Sequence, residues 1–170
     1  MNFFQYTSIE FFFLSLMNFF KKLFRPNTSC KSCSCHRSKK LFSDIDALIL
    51  KNADERIVVG KILAIASHPD ESMTKVRVTK TEIAPGVVEQ ILCGGVNIVE
   101  GAYVPVATVG AKLSEDFEIG ERKIRGEVSR GMICSREELG LQKGDEPDHG
   151  IWLLGETFAE KVGTPIKEIS

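Results

Sequence analysis

From Arg56 onward, apolar and polar residues fall into short runs with the two-residue rhythm of β-strands, each cut by a turn. Ile57–Ala66 (IVVGKILAIA) is long and nearly all apolar, with Gly60 inside it as the expected bend point. Thr74–Thr81 (TKVRVTKT) alternates, setting Val76 and Val78 against Lys75, Arg77 and Thr79. Val87–Cys93, Tyr103–Val109 and a fifth element over Lys123–Cys134 follow, and Ile151–Leu154 (IWLL) reads as a last strand. Ser135-Arg136-Glu137-Glu138 has the form of a capping box, opening a short helix that ends near Gly140.

Short strands at regular intervals, glycines at the corners and one brief helix predict an all-β domain closed into a small barrel. The oligonucleotide/oligosaccharide-binding (OB) fold is the natural candidate. Strand count alone equally admits an SH3-like barrel or a sandwich. Nothing recurs along the chain as a repeat.

The N-terminal forty residues have a different character. Phe11–Phe24 (FFFLSLMNFFKKLF) is the most apolar run, yet it falls short of the ~20 apolar residues a membrane span needs. It also lacks the leading cations and small-residue cleavage site of a signal peptide. Ser15, Asn18, Lys22 and Arg25 recur at steps of three and four, which predicts a short amphipathic helix. Such a helix suits either a membrane interface or a solvated leader, and Met17 is an alternative start. The expected organisation is a poorly ordered basic tail over 1–42, a short helical linker over 43–55 and a barrel domain over 56–165.

Charge sharpens this division. Residues 1–40 carry seven Lys/Arg against Glu10 alone, whereas the remainder has 15 Lys/Arg against 22 Asp/Glu. A basic arm on an acidic body points to an anionic partner, nucleic acid or membrane, or else to a tail drawn weakly to its own domain. The five cysteines form no disulfide framework, and their usage fits a reducing, cytoplasmic setting. Cys30, Cys33, Cys35 and His36 include the Cys-x2-Cys half of a zinc knuckle. Cys35 and His36 are adjacent and too close to Cys33 to complete a relaxed tetrahedron. A structureless thiol cluster is therefore the expectation, with no cofactor.

The chemistry concentrates in Lys123–Ser135 (KIRGEVSRGMICS), where three cations and two hydroxyls lie among glycines that permit close backbone approach. No catalytic acid, base or nucleophile stands among them, so the segment reads as a grip on a polyanion.

Several segments carry a resemblance in their order along the chain: GKIL (Gly60–Leu63), HP (His68–Pro69), KVRV (Lys75–Val78), CGGVN (Cys93–Asn97), VPVA (Val104–Ala107), GAKL (Gly110–Leu113), KIRGEVSRGMICS and ELGL (Glu138–Leu141). Together they resemble the tRNA-binding domain of the bacterial phenylalanyl-tRNA synthetase β subunit. That module also occurs in stand-alone tRNA-binding proteins and at the end of methionyl-tRNA synthetases. Where family members commonly read HPNADKLRV, this chain reads HPDESMTKVRV, two residues longer.

The resemblance implies an OB fold that binds tRNA by shape and backbone. It places the tRNA-contacting surface on Lys75, Arg77, Asn97, Lys123, Arg125, Ser129 and Met132. Lys and Arg neutralise phosphates, Ser and Asn bond phosphate or ribose oxygens, and Met132 offers an apolar contact. Asn97 stabilising its own loop, Met132 in the core, and Lys75 and Arg77 as a solvated strand face are the competing readings. The leading functional expectation is a non-catalytic tRNA-binding module acting in trans, with a homodimer or an aminoacyl-tRNA synthetase as further partners. The alternatives are the N-terminal portion of a phenylalanyl-tRNA synthetase β subunit, or an adaptor tethered to membrane or protein through its tail.

Overall fold

The structure, a computed structural model, describes residues 45–169. The amphipathic helix expected within Phe11–Phe24 and the Cys30–His36 ligand cluster lie outside the described residues. The described chain opens with a helix, α1, over residues 45–51. Nine strands follow: β1 (Ile57–Ser67), β2 (Arg77–Ala84), β3 (Val87–Cys93), β4 (Tyr103–Ala107), β5 (Lys112–Ser114), β6 (Phe117–Glu118), β7 (Arg122–Ile124), β8 (Glu127–Ser129) and β9 (Met132–Ile133). Two short 3-10 helices, Glu156–Lys161 and Ile166–Glu168, end the chain.

The main sheet has the order β3-β2-β1-β4-β9, and its curl follows from β1. Ile57–Lys61 pairs with β4, while Lys61–Ser67 pairs with β2, so one strand serves two partners on either side of Lys61. The register slips between Ile62 and Ala64, a bulge that bends the strand. Gly60 sits just before this change. A Cβ there would stand 2.6 Å from Val106 Cγ2 and 3.1 Å from the Glu82 carbonyl, so the bend needs a residue without a side chain.

Alternation then sorts the two faces. Ile62, Thr79, Thr81, Ile91, Cys93, Val104, Val106 and Ile133 are buried in the barrel. The two threonines are tolerated inside because Thr79 Oγ1 lies 2.9 Å from Thr81 Oγ1 and donates to the Ile91 carbonyl at 2.9 Å. A second apolar cluster, with Leu50, Ile57, Ala111, Ile119, Leu141 and Ile166, seats α1 against the barrel. Arg136 anchors that seat through Asp46 at 2.8 Å, with its guanidinium 4.9 Å from the Trp152 ring centroid.

Three elements differ from their sequence-based expectation. Lys123–Cys134 is a hairpin, β7–β8, followed by the short β9, because Arg125-Gly126 turns the chain back on itself. The capping box forms, with Ser135 N donating to Glu138 Oε2 at 2.7 Å and Glu138 N donating to Ser135 Oγ at 3.1 Å. Residues 136–140 nevertheless make only a turn. Gly140 N donates to Glu137 O and Leu141 N to Arg136 O, with Gly140 at φ 75, a C-terminal cap that ends the helix one turn after its start. Ile151–Leu154 contributes a single bridge, Tyr103↔Leu154, instead of a strand.

Candidate nucleic-acid interface

Arg77 opens β2 between Ser67, the last residue of β1, and Cys93, the last of β3. The 68–76 loop and the loop that begins with CGGVN therefore leave the sheet at the same end of the barrel. Extra length in the 68–76 loop is folded on itself. Asp70 Oδ1 accepts from Ser72 N at 2.9 Å and Ser72 Oγ at 2.6 Å, and Val76 N donates to Met73 O at 3.1 Å. These hydroxyl and backbone bonds, aided by the charge of Arg125, hold the Asp70 carboxyl below the usual aspartate range.

The β7–β8 hairpin reaches the same end. His68 Nε2 lies 3.2 Å from the carbonyl of Ile124, the residue before the hairpin tip. The tip is Arg125-Gly126, with φ of 48 and 99. Two successive positive φ values suit the right-handed twist of a two-residue hairpin, a position that favours Asn-Gly. An arginine in that backbone region costs on the order of 1 kcal/mol, so the fold holds a long cation where a smaller residue sits more easily.

Lys75, Arg77, Lys123 and Arg125 are all exposed. None of them, nor exposed Lys80 on β2, forms an ion pair with any described residue. Arg130, the third cation of the motif, contrasts with them. It bonds Glu121 at 2.9 Å and faces Glu89 at 3.6 Å, so its charge is met within the chain.

The other three expected contact residues have work inside the fold. Ser129 is 6% exposed; its Oγ accepts from Leu92 N at 3.0 Å and donates to Gly131 O at 3.0 Å. Asn97 clasps Ile151, donating from Nδ2 to its carbonyl at 3.0 Å and accepting its N–H at Oδ1 at 2.7 Å. Met132 is half-buried and packs against the cluster that seats α1. Gly131 too serves the barrel, since a Cβ there would stand 2.9 Å from the Ala107 carbonyl. The structure thus gathers Lys75, Arg77, Lys123 and Arg125 at one barrel end and assigns Asn97, Ser129 and Met132 to internal contacts.

Sequence reasoning gave no role to His68 or Gln90. Gln90 Nε2 donates to Glu127 Oε2 at 2.7 Å and to Val128 O at 3.0 Å, tying β8 to β3 up to the pair next to the hairpin tip. The signal for His68 was its place, a histidine-proline pair directly after a strand.

Register also defines the outer face of β1–β3. Ala64 and Ala66 lie beside Lys80 and Val78, which lie beside Gln90 and Leu92. No aromatic ring stands among these six, so the face lacks the stacking platforms that OB folds use to hold unpaired bases. Nor does either cysteine among the described residues offer a thiol nucleophile open to solvent. Burial pushes the Cys93 thiol up to about 11, and Cys134, fully buried, is raised well above its ordinary value by the same cause.

Residues 57–154 match the family described as "Putative tRNA binding domain". The chain is similar to the phenylalanine–tRNA ligase β subunit of Wolinella succinogenes, 38% identical over 157 residues, which is 89% of this chain and 19% of that relative. It is also similar to the β subunits of Chlorobaculum tepidum, 40% identical over 71% of this chain and 15% of the relative, and of Vibrio cholerae, 40% identical over 65% and 13%. The chain thus spans less than a fifth of the length of these relatives.

Proposed function

The chain belongs to the tRNA-binding domain family, and from that premise we propose that it is a non-catalytic module that grips tRNA through its phosphate backbone and overall shape. The observation that carries this reading is the arrangement of Lys75, Arg77, Lys123 and Arg125. These exposed cations form no ion pair with any described residue, and strand register together with the contact of His68 with Ile124 brings them to one barrel end. Phosphates reward unpaired, flexible cations, and a β1–β3 face without rings at its centre favours backbone contact over base stacking.

A second reading concerns context. Similarity to the Wolinella succinogenes β subunit extends over 89% of the chain, well beyond residues 57–154. This favours the module serving within a phenylalanine–tRNA ligase, supplying tRNA binding to an aminoacylation carried out by other parts. A homodimer acting in trans and a membrane contact through the basic tail are the remaining arrangements in which the same grip would work. A cytoplasmic setting fits each of the RNA-binding arrangements.

The test is retention of unfractionated tRNA by the purified chain, set against single-stranded DNA of equal length. Tighter binding to tRNA, weakening as salt rises, is the expected result. No tRNA retention at low salt overturns the proposal.

A further inference from the structure

We propose that His68 is a positioning residue for tRNA binding: by joining the 68–76 loop to the carbonyl beside Arg125, it holds two cationic arms at one fixed spacing. The inference rests on the tRNA-binding reading above and adds to it the device that makes the grip rigid.

His68 is 7% exposed, and both of its ring nitrogens are engaged. Nδ1 accepts from Asp70 N at 3.0 Å, so the ring proton sits on Nε2 and is donated to the Ile124 carbonyl at 3.2 Å. One nitrogen thus shapes the start of the loop that carries Lys75 and leads into Arg77 at the head of β2, while the other holds the hairpin that carries Lys123 and Arg125.

The hairpin needs such a hold. Its ladder consists of Arg122↔Ser129, Lys123↔Val128 and Ile124↔Glu127, and a two-stranded ribbon of this length is marginal in water. Its base is tied to β3 by Ser129, and Gln90 holds β8 at Val128 and Glu127. Its tip is held by His68. The accepting carbonyl belongs to the residue just before Arg125, whose positive φ is the least favourable point of the turn. Fixing that peptide fixes the direction in which Arg125 leaves the barrel. Without the bond, the hairpin keeps its ties to β3 but loses its tie to the 68–76 loop, so the spacing between the two would have to be set by the RNA itself, and that ordering is subtracted from affinity.

Two substitutions separate the two nitrogens. His68→Asn keeps an acceptor near Nδ1 and cannot reach Ile124; His68→Gln keeps a donor near Nε2 and loses the local bond. Filter binding of unfractionated tRNA at several salt concentrations, with thermal melting beside it, reads both. His68→Gln should bind within about twofold of the parent, whereas His68→Asn should lose roughly tenfold at low salt and shed about one unit of log–log salt slope.

The loss should shrink when His68→Asn is placed in an Arg125→Ala background, because residues acting through one another are not additive. A folded His68→Asn with parental affinity and slope overturns the proposal. So does a tenfold loss in His68→Gln, or an undiminished His68→Asn effect in the Arg125→Ala background. If His68→Asn does not fold, the His68→Gln result alone decides. A parent chain that binds no tRNA contradicts the functional reading instead, independently of His68.

Discussion

Leu92 and Ser129 close the barrel: the Leu92 N–H donates to Ser129 Oγ at 3.0 Å across a seam where β3 and β8 share no regular ladder. Arg130 N adds one backbone bond to Gln90 O at 2.9 Å, and the Gln90 amide grips Val128 O and Glu127. A hydroxyl thus substitutes for a strand carbonyl, and the Ser129 oxygen passes the connection on to Gly131 O.

Ser129→Ala is accordingly expected to act on stability. Removing the oxygen leaves the Leu92 N–H without its partner at a part-buried position, which costs about 1–3 kcal/mol. Urea unfolding should show the loss, while the folded fraction binds tRNA with the parental salt slope. A variant of parental stability but weakened tRNA binding would instead assign Ser129 a direct contact with RNA.

Glu138 sets a pH dependence. Its carboxyl is part-buried, and burial raises it above the ordinary glutamate range despite the hydrogen bonding it accepts from Ser135. A carboxyl raised on folding binds its proton more tightly in the folded state. Its contribution is therefore complete below the ordinary glutamate value and is lost as pH rises through the folded value. Glu138→Gln cannot titrate. Relative to that variant, the parent is expected to lose stability as the pH is raised from the ordinary glutamate range toward neutrality. A difference between the two that stays flat with pH would show that Glu138 does not titrate in this way.

Much of this architecture was readable from periodicity. Val87–Cys93 appears with the bounds its pattern suggested, and β1 differs from its expected run by one residue, because two-residue alternation and turn residues mark strand limits directly. Elements shaped by pairs of contacts were less legible. The capping box at Ser135 is visible in sequence, but its one-turn length depends on the cap at Gly140 as well. IWLL has strand composition, yet Asn97 and Tyr103 hold it by separate bonds, with Ile151 N donating to Asn97 Oδ1 and Leu154 N to Tyr103 O.

The interface divided in the same way. Lys75, Arg77, Lys123 and Arg125 could be picked out as cations, because exposed charge is a property of the residue itself. Ser129 and Asn97 read in the sequence as phosphate or ribose contacts; what could not be read there is that this hydroxyl and amide also serve backbone groups 37 and 54 residues away. His68 became visible only through its bond to a carbonyl 56 residues distant.

The salt dependence of tRNA affinity, compared across the parent chain, Lys123→Ala/Arg125→Ala and Arg130→Ala, tests the central claim most directly. The double substitution is expected to weaken binding and to lower the log–log slope by about two units, one for each phosphate no longer neutralised. Arg130→Ala, whose charge is already met by Glu121 and Glu89, should leave the slope near the parental value. An unchanged slope in the double variant, or an equal drop in Arg130→Ala, would contradict the assignment of the RNA grip to the hairpin tip.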